Sequence, residues 1–282
     1  MIKFGPSGND SMFYALGYKE SVQAPTWLRL IGLNAYEYSF GKGILLKDET
    51  AIKIGEEAKK NNIEVSVHAP YFINFACASE EQALKNKTYI FKSIEKLRLL
   101  GGNRLVVHPA SCGKMTREEA VALTKERLKD LAISLVDNDM NDIYICLETM
   151  GKQAQIGTYE EIIDFCTLYD HFIPTFDFGH INALTGGSLK TEKDYKKIID
   201  LCLKKLGKEK TNMIHIHFSH IEYGPKGEIR HLTFEDKKYG PFFEPLAKVL
   251  KDYKLSPVVI CESKETMAVD AVKMKEIYLN AK

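Results

Sequence analysis

The sequence has no run of 18 apolar residues, and no apolar stretch follows Lys3, the first basic residue of its N-terminal segment. These absences exclude a typical membrane-spanning helix and a typical signal peptide. We therefore expect a soluble, cytoplasmic protein with no membrane partner.

Neither sign of charge is in excess, because 39 lysines and arginines face 38 aspartates and glutamates. This balance gives no global electrostatic argument for nucleic-acid binding, although it leaves room for a local basic face. The six cysteines form no CxxC pair, and Cys146 and Cys261 lie within apolar runs. Reduced thiols in a core are therefore expected rather than a disulfide framework.

Eight short apolar runs with strand character alternate with longer segments that carry apolar residues at helical spacing. Gly101–Gly102 and Asn61–Asn62 are predicted helix stops. The predicted strands span residues 2–5, 34–40, 63–70, 104–110, 143–149, 173–178, 212–219 and 257–263.

Runs that are apolar on both faces are typical of a covered parallel sheet. Eight strand–helix units predict an α/β fold of the (β/α)8 TIM-barrel type, with residues 1–282 forming one domain. A doubly wound sheet is the alternative. No shift in composition along the chain indicates a second domain.

Six consecutive predicted strands, the third to the eighth, end in histidine, aspartate or glutamate. In a barrel these ends converge on one rim, where active sites lie. The loop after the seventh strand adds Glu228 and His231. The residues at the strand ends are His68, His108, Glu148, Asp177, His180, His215, His217 and Glu262.

Any one of these residues alone is more often structural than a ligand, but together they crowd carboxylates in a way that cations must neutralise. Imidazoles and carboxylates without cysteine suit Zn²⁺, with Mn²⁺ or Fe²⁺ as alternatives. The number of ligands implies at least two ions, which is typical of phosphoester chemistry. His217, nearer the rim, is the better candidate ligand, whereas His215 lies a layer deeper.

Five motifs carry a resemblance to a known family. They are "HAPYFIN" (68–74), "VVHPAS" (106–111), "LETMGKQAQIG" (147–157), "DFGHINA" (177–183) and "CESKE" (261–265). In this order, over nearly the whole chain, they resemble the endonuclease IV family of apurinic/apyrimidinic endonucleases. The resemblance implies a monomeric barrel that binds damaged double-stranded DNA and cleaves the phosphodiester 5′ to an abasic site.

The resemblance also implies a cluster of two or three zinc ions. His68 and His108 would hold the first ion and share Glu148, as a bridge, with the second. The second ion would be completed by Asp177, His217 and Glu262. His180 and His231 would hold the third. Glu148 and Glu262 are therefore the candidate catalytic residues, Glu262 as the group that orients the attacking water.

Three further residues are candidates for DNA contacts. Tyr71 and Phe72 match the position of family residues that push into the duplex, and aromatic wedges unstack and bend DNA. Packing of their own loop is the alternative role for both. Lys42, at a turn after the second strand, is a candidate phosphate contact or simply a solvated lysine.

The chain departs from the family pattern at two places. The family usually has an aspartate two residues before the histidine matched by His231, but Ile229 occupies that position here. Glu228, one residue away, is the candidate replacement for the third ion. Ser219 and His220 also replace the Asn-Asp that usually follows the family's strand-seven histidine.

Two alternative functions remain open. A sugar isomerase or epimerase of the xylose-isomerase-like barrels would need one divalent metal, for which the set Glu148, Asp177, His217 and Glu262 suffices. In that case the two glutamates would move a proton beside a carbonyl. The other alternative is a non-catalytic barrel that keeps its metals for stability. Additional histidines at the rim favour several metals over one.

Overall fold

The computed structural model describes residues 1–282 and contains one eight-stranded parallel sheet. Its strands are β1 (Lys3–Pro6), β2 (Ala35–Ser39), β3 (Glu64–His68), β4 (Arg104–Val107), β5 (Tyr144–Glu148), β6 (Phe172–Asp177), β7 (His215–Phe218) and β8 (Val258–Cys261). Their order is β1-β8-β7-β6-β5-β4-β3-β2. A bridge between Ser7 and Glu37 brings β1 beside β2. The prediction of a TIM barrel is confirmed, and the doubly wound alternative is wrong.

Ten α-helices accompany the strands. They are α1 (Ser11–Ala15), α2 (Ala24–Leu30), α3 (Asp48–Asn61), α4 (Glu80–Leu99), α5 (Arg117–Asp137), α6 (Tyr159–Phe165), α7 (Phe178–Leu184), α8 (Glu192–Asn212), α9 (Phe243–Asp252) and α10 (Met267–Asn280). None of them has the length and apolarity that a bilayer crossing requires. The two predicted helix stops are confirmed, since α3 ends at a left-handed Asn62 (φ 56°) and α4 shortly before a left-handed Gly101 (φ 74°).

Six of the eight predicted strands are longer than the observed ones. The seventh run, predicted as residues 212–219, is observed as His215–Phe218, and the fourth ends at Val107 rather than at residue 110. The residues beyond each strand leave the ladder at the rim of the barrel, so His108 and Glu262 lie just after β4 and β8. His108 and Glu262 thus lie outside the strands, whereas His68, Glu148, Asp177 and His217 lie within them.

The inside of the barrel is layered along the strands. Val106, Cys146 and Ile173 form one small apolar cluster, separate from the core of 65 residues that includes the strand–helix contacts. Towards the C-terminal ends of the strands the next layer is polar and fully buried, with Glu37 in register with Ser66, and Thr175 with His215. Because side chains alternate along a strand, the layer above contains Asp177 and His217.

The contact between α3 and the end of α4 requires a glycine. A Cβ added to Gly55 would lie 2.6 Å from the carbonyl oxygen of Leu99 and 2.9 Å from the carbonyl carbon of Leu100. These backbone atoms cannot move away from an added methyl group as the end of a flexible side chain could. We therefore expect Gly55→Ala to destabilise the fold by about 1–3 kcal/mol, as overpacking does. At an exposed helical site the same change stabilises by up to about 1 kcal/mol.

Urea unfolding followed by circular dichroism measures this difference. Gly43→Ala is the matched control, because no heavy atom lies within 4 Å of its added Cβ and its backbone is not left-handed. A Gly55→Ala protein as stable as the parent would contradict the account of this helix contact.

Candidate metal centre

Glu148, the last residue of β5, is the centre of the rim cluster and is 1% exposed. Its Oε2 atom lies 3.0 Å from His68 Nε2 and 3.1 Å from His108 Nε2. Its Oε1 atom faces the other way and lies 3.1 Å from His217 Nδ1. One carboxylate thus faces two groups of nitrogen ligands with its two oxygens, which is the geometry that a bridging ligand needs.

Backbone carbonyls select the tautomers of two of the histidines. His68 Nδ1 lies 2.8 Å from the carbonyl oxygen of Ala69, and His180 Nδ1 lies 3.0 Å from that of Thr149. A carbonyl only accepts, so each Nδ1 carries the proton and donates it. Nε2 is therefore the nitrogen left for a metal, and it faces Glu148 in His68 and Glu228, at 3.5 Å, in His180.

A second set of ligand atoms combines Glu148 with Asp177, His217 and Glu262. Asp177 ends β6 and caps α7, since its Oδ1 accepts the amide N–H of His180 at 2.8 Å. Its Oδ2 is fully buried and makes no hydrogen bond, although His180 Nδ1 lies 3.2 Å away. Glu262 Oε2 lies 3.5 Å from His217 Nδ1, and the side chain of Glu262 remains 16% exposed.

The third set consists of His180, Glu228 and His231. Glu228 and His231 lie in a hairpin formed by strands Ile221–Gly224 and Gly227–His231. In its register Glu222 pairs with Arg230 and Tyr223 pairs with Glu228, so Ile229 is the extra residue of a β-bulge. The bulge interrupts the alternation of faces, so Glu228 and His231, three residues apart, point the same way. Ile229 is 58% exposed.

Two glycines allow this hairpin to lie against the loop after β5. The amide N–H of Glu228 donates to the carbonyl oxygen of Gly151 at 2.9 Å. A Cβ on Gly227 (φ 98°) would lie 2.1 Å from that same oxygen, and a Cβ on Gly151 would lie 2.9 Å from both Glu228 Cβ and His180 Cδ2. The close backbone approach therefore places the carboxylate of Glu228 beside His180.

Below these sets lies a buried carboxylate that the sequence analysis missed. Glu37 in β2 is 0% exposed. Its Oε2 accepts hydrogen bonds from His215 Nε2 at 3.0 Å and from Ser66 Oγ at 2.8 Å, and its Oε1 lies 2.9 Å from His217 Nε2. A glutamate inside the apolar run "AYEYS" was the available signal. His215 contacts Glu37 and, as expected, lies a layer deeper than the rim.

Burial and charge pairing act in opposite directions on the pKa values of this cluster. Burial alone would raise the pKa of Glu148, but the charges of His217 and His108 hold it well below its usual range. Burial lowers the pKa of His68, yet the hydrogen bond and charge of Glu148 raise it to about 9. Burial, aided by the charges of Glu262 and Glu148, raises the pKa of Asp177, although the charge of His180 acts against this rise.

The donor set fits divalent metal ions on three grounds. Asp177 Oδ2 is a buried oxygen without a hydrogen bond, the ligand atoms within each set lie within 4.8 Å of one another, and all donors are imidazole nitrogens or carboxylate oxygens. Such donors suit Zn²⁺ and also Mn²⁺ or Fe²⁺. The cluster can therefore hold metal, while the assignment of individual ligands stays a prediction.

An open cleft of ≈ 360 Å³ leads to the cluster and is lined by ligands of all three sets together with Tyr71 and Lys152. Tyr71 is 50% exposed, whereas Phe72 packs edge-on against Tyr89 at 4.8 Å. Lys42 is exposed next to Gly41, which lines the cleft. A larger surface groove of ≈ 710 Å³ lies elsewhere and contains no histidine.

A family model described as a xylose isomerase-like TIM barrel matches residues 25–276. The chain belongs to this family. It is 32% identical to an uncharacterized protein of Methanocaldococcus jannaschii over 278 residues, which are 99% of this chain and 97% of the relative. It is 29% identical to a protein of Acholeplasma laidlawii named probable endonuclease 4, over 77% of this chain and 73% of the relative.

Solved structures with the same fold come from two functional classes. A D-tagatose 3-epimerase-like protein superimposes with a TM-score of 0.72 at 22% identity, covering 99% of this chain and 97% of its own. Endonuclease IV from Thermus thermophilus superimposes with a TM-score of 0.68 at 16% identity, covering 99% of this chain and 100% of its own. At these identities both matches show the fold alone.

The third set yields a prediction about metal content. Because three protein ligands hold one ion, we expect Glu228→Gln to lower the metal bound by about one ion per chain. Elemental analysis after zinc loading and gel filtration measures this loss. Glu222→Gln is the matched control, since Glu222 lies in the same hairpin but pairs with Arg230. An unchanged metal content in Glu228→Gln would remove Glu228 from the ligand set.

Proposed function

We propose that the protein is a metal-dependent phosphodiester hydrolase that incises damaged double-stranded DNA 5′ to an abasic site. The observation that carries this proposal is the number of ligand sets. Beyond the set that contains Asp177 and Glu262, the rim holds a pair of histidines on Glu148 and a separate His180–Glu228–His231 set. A reaction that needs one metal gives no reason for these extra donors.

Zinc ions bound in the three sets would supply Lewis-acid chemistry, lowering the pKa of water and neutralising charge on a phosphoryl group. The chain itself orients the donors, since carbonyl partners hold His68 and His180 in the ligating tautomer. Glu262 is the candidate to orient a water and take its proton, because its carboxylate is partly exposed at the cleft and lies 3.5 Å from His217.

The surroundings of the cleft suit an extended anionic substrate. Lys152 is about half exposed and lies 4.0 Å from Glu228, where its charge can meet a phosphate that approaches the third set. Tyr71 projects at the cleft as a candidate wedge, the device by which proteins unstack a base step. Phe72, braced by Tyr89, is the better candidate for supporting that loop. The names of relatives such as probable endonuclease 4 agree with this substrate.

A sugar epimerase or isomerase is the second candidate, favoured by the structural likeness to a D-tagatose 3-epimerase-like protein. The set of Glu148, Asp177, His217 and Glu262 would serve it alone, with the two glutamates as proton carriers. The volume of the cleft lies in the range of small-ligand sites and admits either a free sugar or one abasic sugar phosphate. The extra ligand sets distinguish the two candidates.

The test is incision of a short duplex that carries one synthetic abasic site, with an undamaged duplex in parallel. We expect zinc-loaded protein to cut 5′ to the lesion and Glu262→Gln, purified identically, to cut at least about 10²-fold more slowly, as loss of a general base does. This comparison also excludes a contaminating nuclease. Incision that does not exceed that of the variant would overturn the proposal. Conversion of a ketohexose by the same preparation would then establish the epimerase.

A further inference from the structure

Glu37 makes its contacts across the inside of the barrel. It lies in β2, and its partners His215 and His217 lie in β7, which is not a neighbour of β2 in the sheet. All three side chains are 0% exposed. Barrel interiors are mostly filled with branched apolar residues, and a buried carboxylate is costly unless donors surround it. Glu37 therefore occupies a position where a branched apolar side chain would be less costly to bury.

The two oxygens of Glu37 have different partners. Oε2 accepts from His215 Nε2 and Ser66 Oγ, so two donors hold the carboxylate in place. Oε1 lies 2.9 Å from His217 Nε2 as an ion-pair contact, and neither atom makes a hydrogen bond within the protein. On the Nε2 side of the ring, the orientation of His217 therefore depends on its contact with Glu37.

The two ring nitrogens of His217 face different carboxylates. Nε2 faces Glu37, while Nδ1 lies 3.1 Å from Glu148 Oε1 and 3.5 Å from Glu262 Oε2. A neutral imidazole carries one N–H, and only the other nitrogen can bind a metal. Carboxylates face both nitrogens, so a cation bound in the set that contains Nδ1 would decide between them. The proton would then lie on Nε2, where the acceptor that faces it is Glu37.

We propose that Glu37 is the positioning residue of the second ligand set, where it holds His217 in the tautomer that directs Nδ1 at the metal. His215 and Ser66 hold Glu37 in place for this role. A carboxylate behind a ligating histidine also increases the basicity of that ligand. The inference rests on the metal centre of the proposed function, and it does not depend on the DNA substrate.

An ion bound among Glu37, His215 and His217 is the competing interpretation, since the three offer one ligand atom each within 4.8 Å. Two features favour the positioning role. His217 Nδ1 already belongs to the set above, and the contacts of 2.9–3.0 Å among the three side chains match direct donor–acceptor distances. Metal counting separates the two interpretations.

The experiment measures zinc affinity by chelator competition and the visible absorption of the cobalt-substituted protein. Loss of a carboxylate behind a metal-binding histidine weakens affinity about 10- to 100-fold. We expect this loss for one ion in Glu37→Gln, together with an altered cobalt spectrum. Glu37→Met, which has no strong acceptor at all, should behave in the same way, and circular dichroism verifies that both variants are folded.

Asp10→Asn is the matched control for loss of a buried carboxylate. Asp10 is 2% exposed and accepts the amide N–H groups of Phe13 and Ala268, away from the ligand sets. It should lower stability while zinc affinity and the cobalt spectrum stay at parental values. An equal loss of affinity in Asp10→Asn would overturn the inference, because general destabilisation would then explain the effect of Glu37.

Parental affinity and spectrum in folded Glu37→Gln and Glu37→Met would also overturn the inference. Complete loss of one ion, with the other sites and their spectrum unchanged, would overturn it in favour of an ion bound at Glu37. A parent protein that binds no metal would overturn the metal centre as well. Metal binding that depends on Glu37 in a protein that does not incise abasic DNA would contradict only the proposed substrate.

Discussion

Burial of negative charge at one end of the barrel is the constraint on which the rest of the site depends. Glu37, Glu148 and Asp177 are each at most 1% exposed, and a carboxylate removed from water costs several kcal/mol unless it is compensated. Histidines from β3, β7 and the rim contact Glu148, and His215 and His217 contact Glu37. Asp177 keeps one oxygen without a hydrogen bond. His180 Nδ1 lies 3.2 Å from that oxygen, and a metal ion would supply it with a second cationic partner.

The ligands differ in how firmly the fold holds them. Glu148, Asp177 and His217 lie at the ends of paired strands, where the register of the barrel fixes their relative heights. Glu228 and His231 lie in a hairpin that reaches the site through the contact of Gly227 with Gly151. The third set therefore depends on the docking of a peripheral hairpin. It is also the set that separates a multi-metal hydrolase from a single-metal sugar enzyme on the same barrel.

Much of the barrel and the rim could be predicted from the sequence because both follow local patterns. Eight apolar runs define the strands, and a polar residue at the end of a strand lies at the rim whichever strands are its neighbours. The role of Glu37 could not be predicted from the sequence, because it depends on histidines that follow it by 178 residues or more. These histidines lie on a strand that is not adjacent to its own. Glu228 could only be named as a candidate, since a bulge at Ile229 cannot be read from five residues of sequence.

The most direct test of the central claim is anomalous X-ray diffraction at the zinc absorption edge, from crystals of protein reloaded with zinc. We expect three anomalous peaks within the rim cluster: one between His68 and His108, one between Asp177 and Glu262, and one between His180 and His231. A single peak beside Asp177 would contradict it and favour the sugar-enzyme arrangement. The absence of any peak would remove the metal centre itself.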